Sequence, residues 1–135
     1  MRIIKHISHR TDDNQYRKAG IILEKKIEQY DVVIIGGGAA GLTAAIYCGR
    51  ARLKTLVIEK ALVGGLATYT NEIENYPGFP EGSTGLGLME LFHKQAKKFG
   101  VKFKLTDVRA VQLKGDKKVV ETFRTDYECR SVIIA

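Results

Sequence analysis

A short glycine-rich turn between two apolar runs constrains this chain more than any other feature. Residues 31–35, Asp-Val-Val-Ile-Ile, form a β-branched run of the kind expected for a strand buried on both faces. The run passes directly into Gly36-x-Gly38-x-x-Gly41, after which Leu42, Ala45, Ile46 and Gly49 recur at helical spacing. A second apolar run, residues 55–58, follows and ends on Glu59. The pattern is one strand–helix–strand unit with a glycine turn at its first corner.

Each glycine has a physical task in such a turn. Gly36 permits the tight exit from the strand, and Gly38 admits a pyrophosphate where a Cβ would block it. Gly41 lets the helix lie close to the strand. The helix then aims free N–H groups and its positive dipole end at the phosphates. Seventeen residues separate Gly41 from Glu59, which falls at the end of the second strand. There a carboxylate accepts both hydroxyls of an adenosine ribose and repels a 2′-phosphate. Glycine turns alone are common, and a corner that uses glycine only for packing is the alternative. The strand before, the helix after and the acid at this distance favour a dinucleotide site.

At 135 residues the chain is one domain's worth, and its apolar share of 44% suits a globular protein. No apolar run is long enough to span a membrane, and the first seven residues are too short for a secretory signal. The expectation is a cytoplasmic protein without membrane association. A net charge of +7 invites a nucleic-acid reading, but the basic residues are scattered and no aromatics interleave them, so none is expected. Cys48 and Cys129 are far apart and read as buried reduced thiols. His6 and His9 form an H-x-x-H that nothing nearby completes as a metal site, so no metal is expected.

Residues 1–29 read as an extension outside the domain, with a helix over about 14–29 capped by Thr11, Asp12 or Asp13 and with Tyr16, Ala19, Leu23 and Ile27 down one side. Beyond Glu59 a second glycine pair, Gly64 and Gly65, leads to a polar stretch and the loop at 75–80. That loop holds both prolines and so is neither helix nor central strand. Ser83 or Thr84 caps a second helix, over about 86–99, whose buried stripe is Leu88, Met89, Phe92, Ala96 and Phe99. Gly100 closes it, and His93 on it is expected to be partly exposed. A third parallel strand follows at 101–105. Residues 108–113 and 118–124 form a hairpin, residues 127–130 join that antiparallel layer, and 132–135 return to the parallel sheet as a buried strand.

Taken together, residues 30–135 closely resemble the FAD-binding part of the thioredoxin reductases and their relatives. The resemblance rests on Asp31-Val-Val-Ile-Ile-Gly-Gly-Gly-Ala-Ala-Gly-Leu-Thr-Ala-Ala-Ile-Tyr47, on Gly64-Gly65, and on Glu72-Ile-Glu-Asn-Tyr-Pro-Gly-Phe-Pro80. The helix ending at Gly100 and the closing Val132-Ile-Ile-Ala135 add to it. It implies an α/β, Rossmann-like domain: a parallel sheet flanked by helices plus a small antiparallel layer, truncated at its C-terminus. Residues 1–29 would be the extension and 30–135 a partial FAD-binding domain.

The resemblance also implies a site. Gly36, Gly38, Ala39 and Ala40 match the pyrophosphate cradle, while Glu59 and Lys60 sit where the adenosine ribose is held. Gly64, Gly65 and Leu66 match the loop passing the flavin, and Asn75 the side chain facing it. Val108 falls where backbone contacts adenine, and Ala135 begins a strand end that brushes the cofactor. Most members carry Gln where this chain has Leu66. The implied activity is hydride transfer from NAD(P)H through flavin to a disulfide or other acceptor. A second glycine fingerprint and a CxxC are absent from these residues, so no catalytic residue is assigned and no turnover is expected from them alone. The missing NAD(P)H domain, or a partner chain supplying it, a thioredoxin-like protein and a homo-oligomer in full-length relatives are the implied partners. A stand-alone dinucleotide-binding module, or half of a split protein, is the alternative.

Overall fold

The computed structural model describes residues 25–135. Six strands form one mixed sheet in the order β3-β2-β1-β6-β5-β4. They are β1 Lys26–Ile35, β2 Thr55–Glu59, β3 Lys102–Leu105, β4 Ala110–Gln112, β5 Lys118–Glu121 and β6 Thr125–Ile134. Strand β1 is central, with β2 parallel on one side and β6 parallel on the other; β3 extends the parallel set beyond β2. The β4–β5 hairpin joins through antiparallel pairing of β5 with β6.

Two helices cover one face, α1 over Ala39–Arg50 and α2 over Gly85–Lys98. The α1 stripe Leu42, Ala45 and Ile46 and the α2 stripe Leu88, Met89, Phe92 and Ala96 close over Val32, Ile34 and Val57. Helix α2 is closed at both ends. The Gly87 N–H donates to Thr84 Oγ1 at 3.0 Å at the start. At the end, Gly100 adopts φ +81°, its N–H donates to Lys97, and the Val101 N–H donates to Ala96. That is a complete Schellman closure. The opposite sheet face buries Val33, Leu56 and Ile58 against Val120 and Tyr127 from the antiparallel strands. The expected antiparallel layer is therefore present, hydrogen-bonded into the main sheet through β6.

Four local expectations are corrected. Residues 26–29 are not helical: Lys26–Tyr30 extend β1 and pair with residues 125–129 of β6. Long-range pairing overrides a local helical pattern there, and Ile27, placed on the helix stripe, is 61% exposed. Strand β1 thus begins four residues before Tyr30, while the rest of the expected helix, with His6 and His9, lies outside the described residues. Residues 127–130 and 132–134 are not separate strands but parts of the ten-residue β6, and Ala135 lies just past its end. Nor is the second part fully buried: its outer edge has no strand beside it among the described residues, leaving Ile134 73% exposed. Finally, Cys129 is buried as expected but Cys48 only partly; burial pushes both thiols up.

One feature of β1 and β6 escapes a period of two. Tyr30 and Val33, three residues apart, face the same cluster, and so do Cys129 and Val132. Side chains alternate along a strand, so each strand must shift phase once between those positions. The ladder omits a pair between Asp31 and Arg130 at that level. Lys54 secures the bend: its carbonyl accepts from the N–H groups of Asp31 and Val32, and its own N–H donates to Asp31 Oδ2 at 2.8 Å. Beside the bend, burial and the bond donated to Glu28 push the Tyr30 phenol up to about 12. Asp31→Ala removes the acceptor that joins the bend to the start of β2. It should lower unfolding free energy by about 1–2 kcal/mol in a urea titration; an unchanged midpoint would refute that role.

Candidate dinucleotide site

The strand ends meet the α1 N-terminus around the glycine turn, and the three fingerprint glycines divide there by task. Gly36 has φ +107°, and a Cβ on it would lie 2.1 Å from the Ala135 carbonyl oxygen. A Cβ on Gly41 would lie 2.0 Å from the Gly36 carbonyl oxygen. These two are required by the fold, because the turn, α1 and the end of β6 pack backbone to backbone. Gly38 differs. Its φ is −75°, open to any L-residue, and a Cβ there would meet nothing closer than 4.0 Å. The fold does not need this glycine.

Gly38 is also the N-cap residue of α1, where it provides no side-chain acceptor, and no acid lies in the first turn. Ala39 and Ala40 are exposed. The helix N-terminus therefore presents backbone donors and its dipole to an open surface.

Glu59 ties the turn to β2. Its Oε2 accepts from the Gly37 N–H at 2.8 Å and its Oε1 from the Ala61 N–H at 3.0 Å. Burial disfavours the charge, but the N–H groups of Ala61, Gly37 and Lys60 outweigh it and hold the carboxyl below the usual range. The carboxylate is ionised at neutral pH.

The second glycine pair comes back to the first. The Gly64 N–H donates to the Gly37 carbonyl at 2.7 Å, Gly64 bridges Gly38, and a Cβ on Gly65 would lie 3.2 Å from the Gly38 Cα. Gly64 and Gly65 both have positive φ and open a short 3-10 helix, Gly65–Tyr69, on which Leu66 is 86% exposed. The loop beyond it is pinned by an Ile73–Ser83 bridge and by the Tyr76 ring, 5.4 Å from that of Phe92 on α2. Asn75 is exposed there and lines a shallow recess with Thr70, Glu72 and Glu74.

Gly36, Gly38, Glu59, Gly64, Gly65 and Ala135 are thus brought into one place. The Ala135 N–H donates to the Ile35 carbonyl, which seats the end of β6 at the turn. Lys60 is exposed beside Glu59. Val108 lies between two anchors: the Thr106 N–H donates to the Glu59 carbonyl and the Arg109 N–H to Glu121. Asn75 is tied to the site through its loop, not by a bond to the other residues. Sequence reasoning missed Gly37 and Ala61, whose N–H groups position Glu59; backbone donors carry no side-chain signal. His93 is partly exposed as expected, its ring 4.4 Å from Phe103, and has no place in the site.

The comparisons with known proteins converge on one family. Residues 30–135 match the model of the family described as pyridine nucleotide-disulphide oxidoreductase. The chain is 49% identical over 106 residues to a thioredoxin reductase of Mycolicibacterium smegmatis, covering 78% of this chain and 34% of that one. It is 46% identical over 112 residues to a thioredoxin reductase of Bacillus subtilis (strain 168), covering 83% and 34%. A crystal structure of thioredoxin reductase from Streptococcus pyogenes superposes with a TM-score of 0.75 at 39% identity, covering 78% and 34%. The chain spans about a third of the length of the relatives it matches. With the doubly anchored glycine turn and the match over 30–135, the chain belongs to the pyridine nucleotide-disulphide oxidoreductase family.

Proposed function

We propose that residues 30–135 hold FAD for a thioredoxin-reductase-like flavoprotein oxidoreductase. The observation that carries this reading is Gly38. It is a glycine that the fold would exchange for a larger residue, placed where an added Cβ would enter the space in front of the helix N-terminus. Gly36, Gly38, Ala39 and Ala40 would bind the pyrophosphate, and Glu59 and Lys60 the adenosine ribose. Gly64, Gly65, Leu66 and Asn75 would lie along the flavin, with Val108 at the adenine and Ala135 beside the cofactor.

The donor set fits that group. Neutral backbone N–H groups and a helix dipole would face the diphosphate, and the ionised Glu59 carboxylate would accept from the diol. FAD would supply two-electron chemistry when bound; these residues hold and orient it. Hydride from a nicotinamide, and the dithiol or other acceptor, would engage residues outside these 135, on a further domain or a partner chain. A thioredoxin-like protein as acceptor and a homo-oligomeric assembly are part of the same proposal.

The decisive experiment is a titration of the chain with FAD followed by flavin fluorescence. One flavin bound per chain supports the reading. Absence of binding, even with the remaining FAD-domain segment of a relative supplied in trans, would sink it.

Gly38→Ser should keep the wild-type melting temperature within about 2 °C, since its Cβ meets open space and serine is favoured at a helix N-cap, while FAD binding falls at least about tenfold. Equal loss of fold and binding would mean that Gly38 is structural. Glu59→Gln should weaken FAD and cost about 1–2 kcal/mol of stability through its two backbone bonds. The Glu59 contribution is complete above the unfolded carboxyl's pKa and is lost as pH falls through the lower folded one. Acid denaturation should therefore flatten in the variant; parallel profiles would contradict it.

A further inference from the structure

A second concave site lies at the other end of the parallel strands, beside the bend in β1 and β6. It is a hollow of about 340 Å³ with Tyr30 and Cys129 among its walls. Asp31 lies five residues before Gly36, about 16 Å along β1 at the rise of a strand. The hollow is therefore separate from the glycine turn.

Its charges come from three different segments. Lys54 precedes β2, Lys117 precedes β5, and Arg130 lies within β6; all three line the hollow. Only two carboxylates accompany them, and both are engaged. Asp31 Oδ2 accepts the Lys54 backbone N–H at 2.8 Å. Glu128 Oε2 accepts from Gln29 Nε2 at 3.3 Å and from Lys117 Nζ at 3.2 Å. The Lys54 ammonium sits 4.9 Å from the Tyr30 ring centroid, over an aromatic face and not an acid. The Arg130 guanidinium has no carboxylate partner among the described residues. Three cations against two carboxylates, one of which is paired with Lys117, leave the hollow with an excess of positive charge carried by Lys54 and Arg130.

We propose that this hollow binds a compact polyanion, a small metabolite carrying two or more phosphate or carboxylate groups. The volume is at the lower end for ligand pockets, which suits such a molecule. Arg130 provides a planar fork for one oxyanion group, Lys54 a point charge for a second, and Lys117 turns from Glu128 to complete the set. Tyr30 and Cys129 contribute an apolar wall that limits water. The site is independent of the flavin reading, and nothing in it requires the cofactor.

The test is a titration of the full chain, labelled with ¹⁵N, with inorganic pyrophosphate and separately with citrate. The readout is the amides of Tyr30, Asp31, Lys54 and Arg130. Saturable shifts there with pyrophosphate alone, citrate alone or both support the proposal and distinguish phosphate from carboxylate recognition. The double variant Lys54→Gln, Arg130→Gln should then bind at least about tenfold more weakly. A control variant, Lys97→Gln with Lys98→Gln on α2, removes the same charge elsewhere and should bind as the wild type does. No saturation at those amides with either anion overturns the proposal, as do shifts confined to residues 36–41. Equal weakening in both double variants would also overturn it, since the attraction would then be to net charge alone.

Discussion

The approach of three backbones at the head of β1 is the constraint on which the site depends. The Gly36 turn, the first turn of α1 and the end of β6 lie so close that a methyl group on Gly36 or Gly41 would overlap a carbonyl oxygen. This contact sets the direction of α1, and hence where its N-terminal donors point. It also seats Ala135 at the turn through the bond to Ile35.

Around that contact the site is assembled largely from backbone. Glu59 is the side chain that joins the parts, with one oxygen on the turn and the other on the segment after β2. Gly64 adds a third connection by donating to Gly37. Each of these loops is held by hydrogen bonds to another loop or strand end. The cost of ordering these segments is met in folding, which leaves more of the binding energy for recognition.

Much of this was legible in the sequence because the relevant signals are local. The run at 31–35, the helical spacing from Leu42 to Gly49, the Thr84 cap and the Gly100 stop all lie within one or two turns of the residues they control. They predict the elements to within a few residues. The same locality explains the errors. The stripe through Leu23 and Ile27 has helical spacing, yet residues 26–30 are held as a strand by β6, about a hundred positions away. The phase shift at Asp31 and Arg130 is likewise a property of two strands together, and neither strand alone announces it.

The sequence by itself determined the strand–turn–helix unit, the location of the parallel strands along the chain and the family, because hydrophobic period, glycine spacing and a carboxylate at fixed distance are properties of contiguous chain. Tertiary structure decided the rest. It separated Gly38, which the fold can spare, from Gly36 and Gly41, which it cannot, because only packed neighbours show whether a missing Cβ is needed for room. It committed Glu59 to two backbone N–H groups and left one edge of β6 bare. It also brought Lys54, Lys117 and Arg130 into one hollow. These are relations between residues far apart in the chain, and the strand pairing of the folded sheet is what creates them.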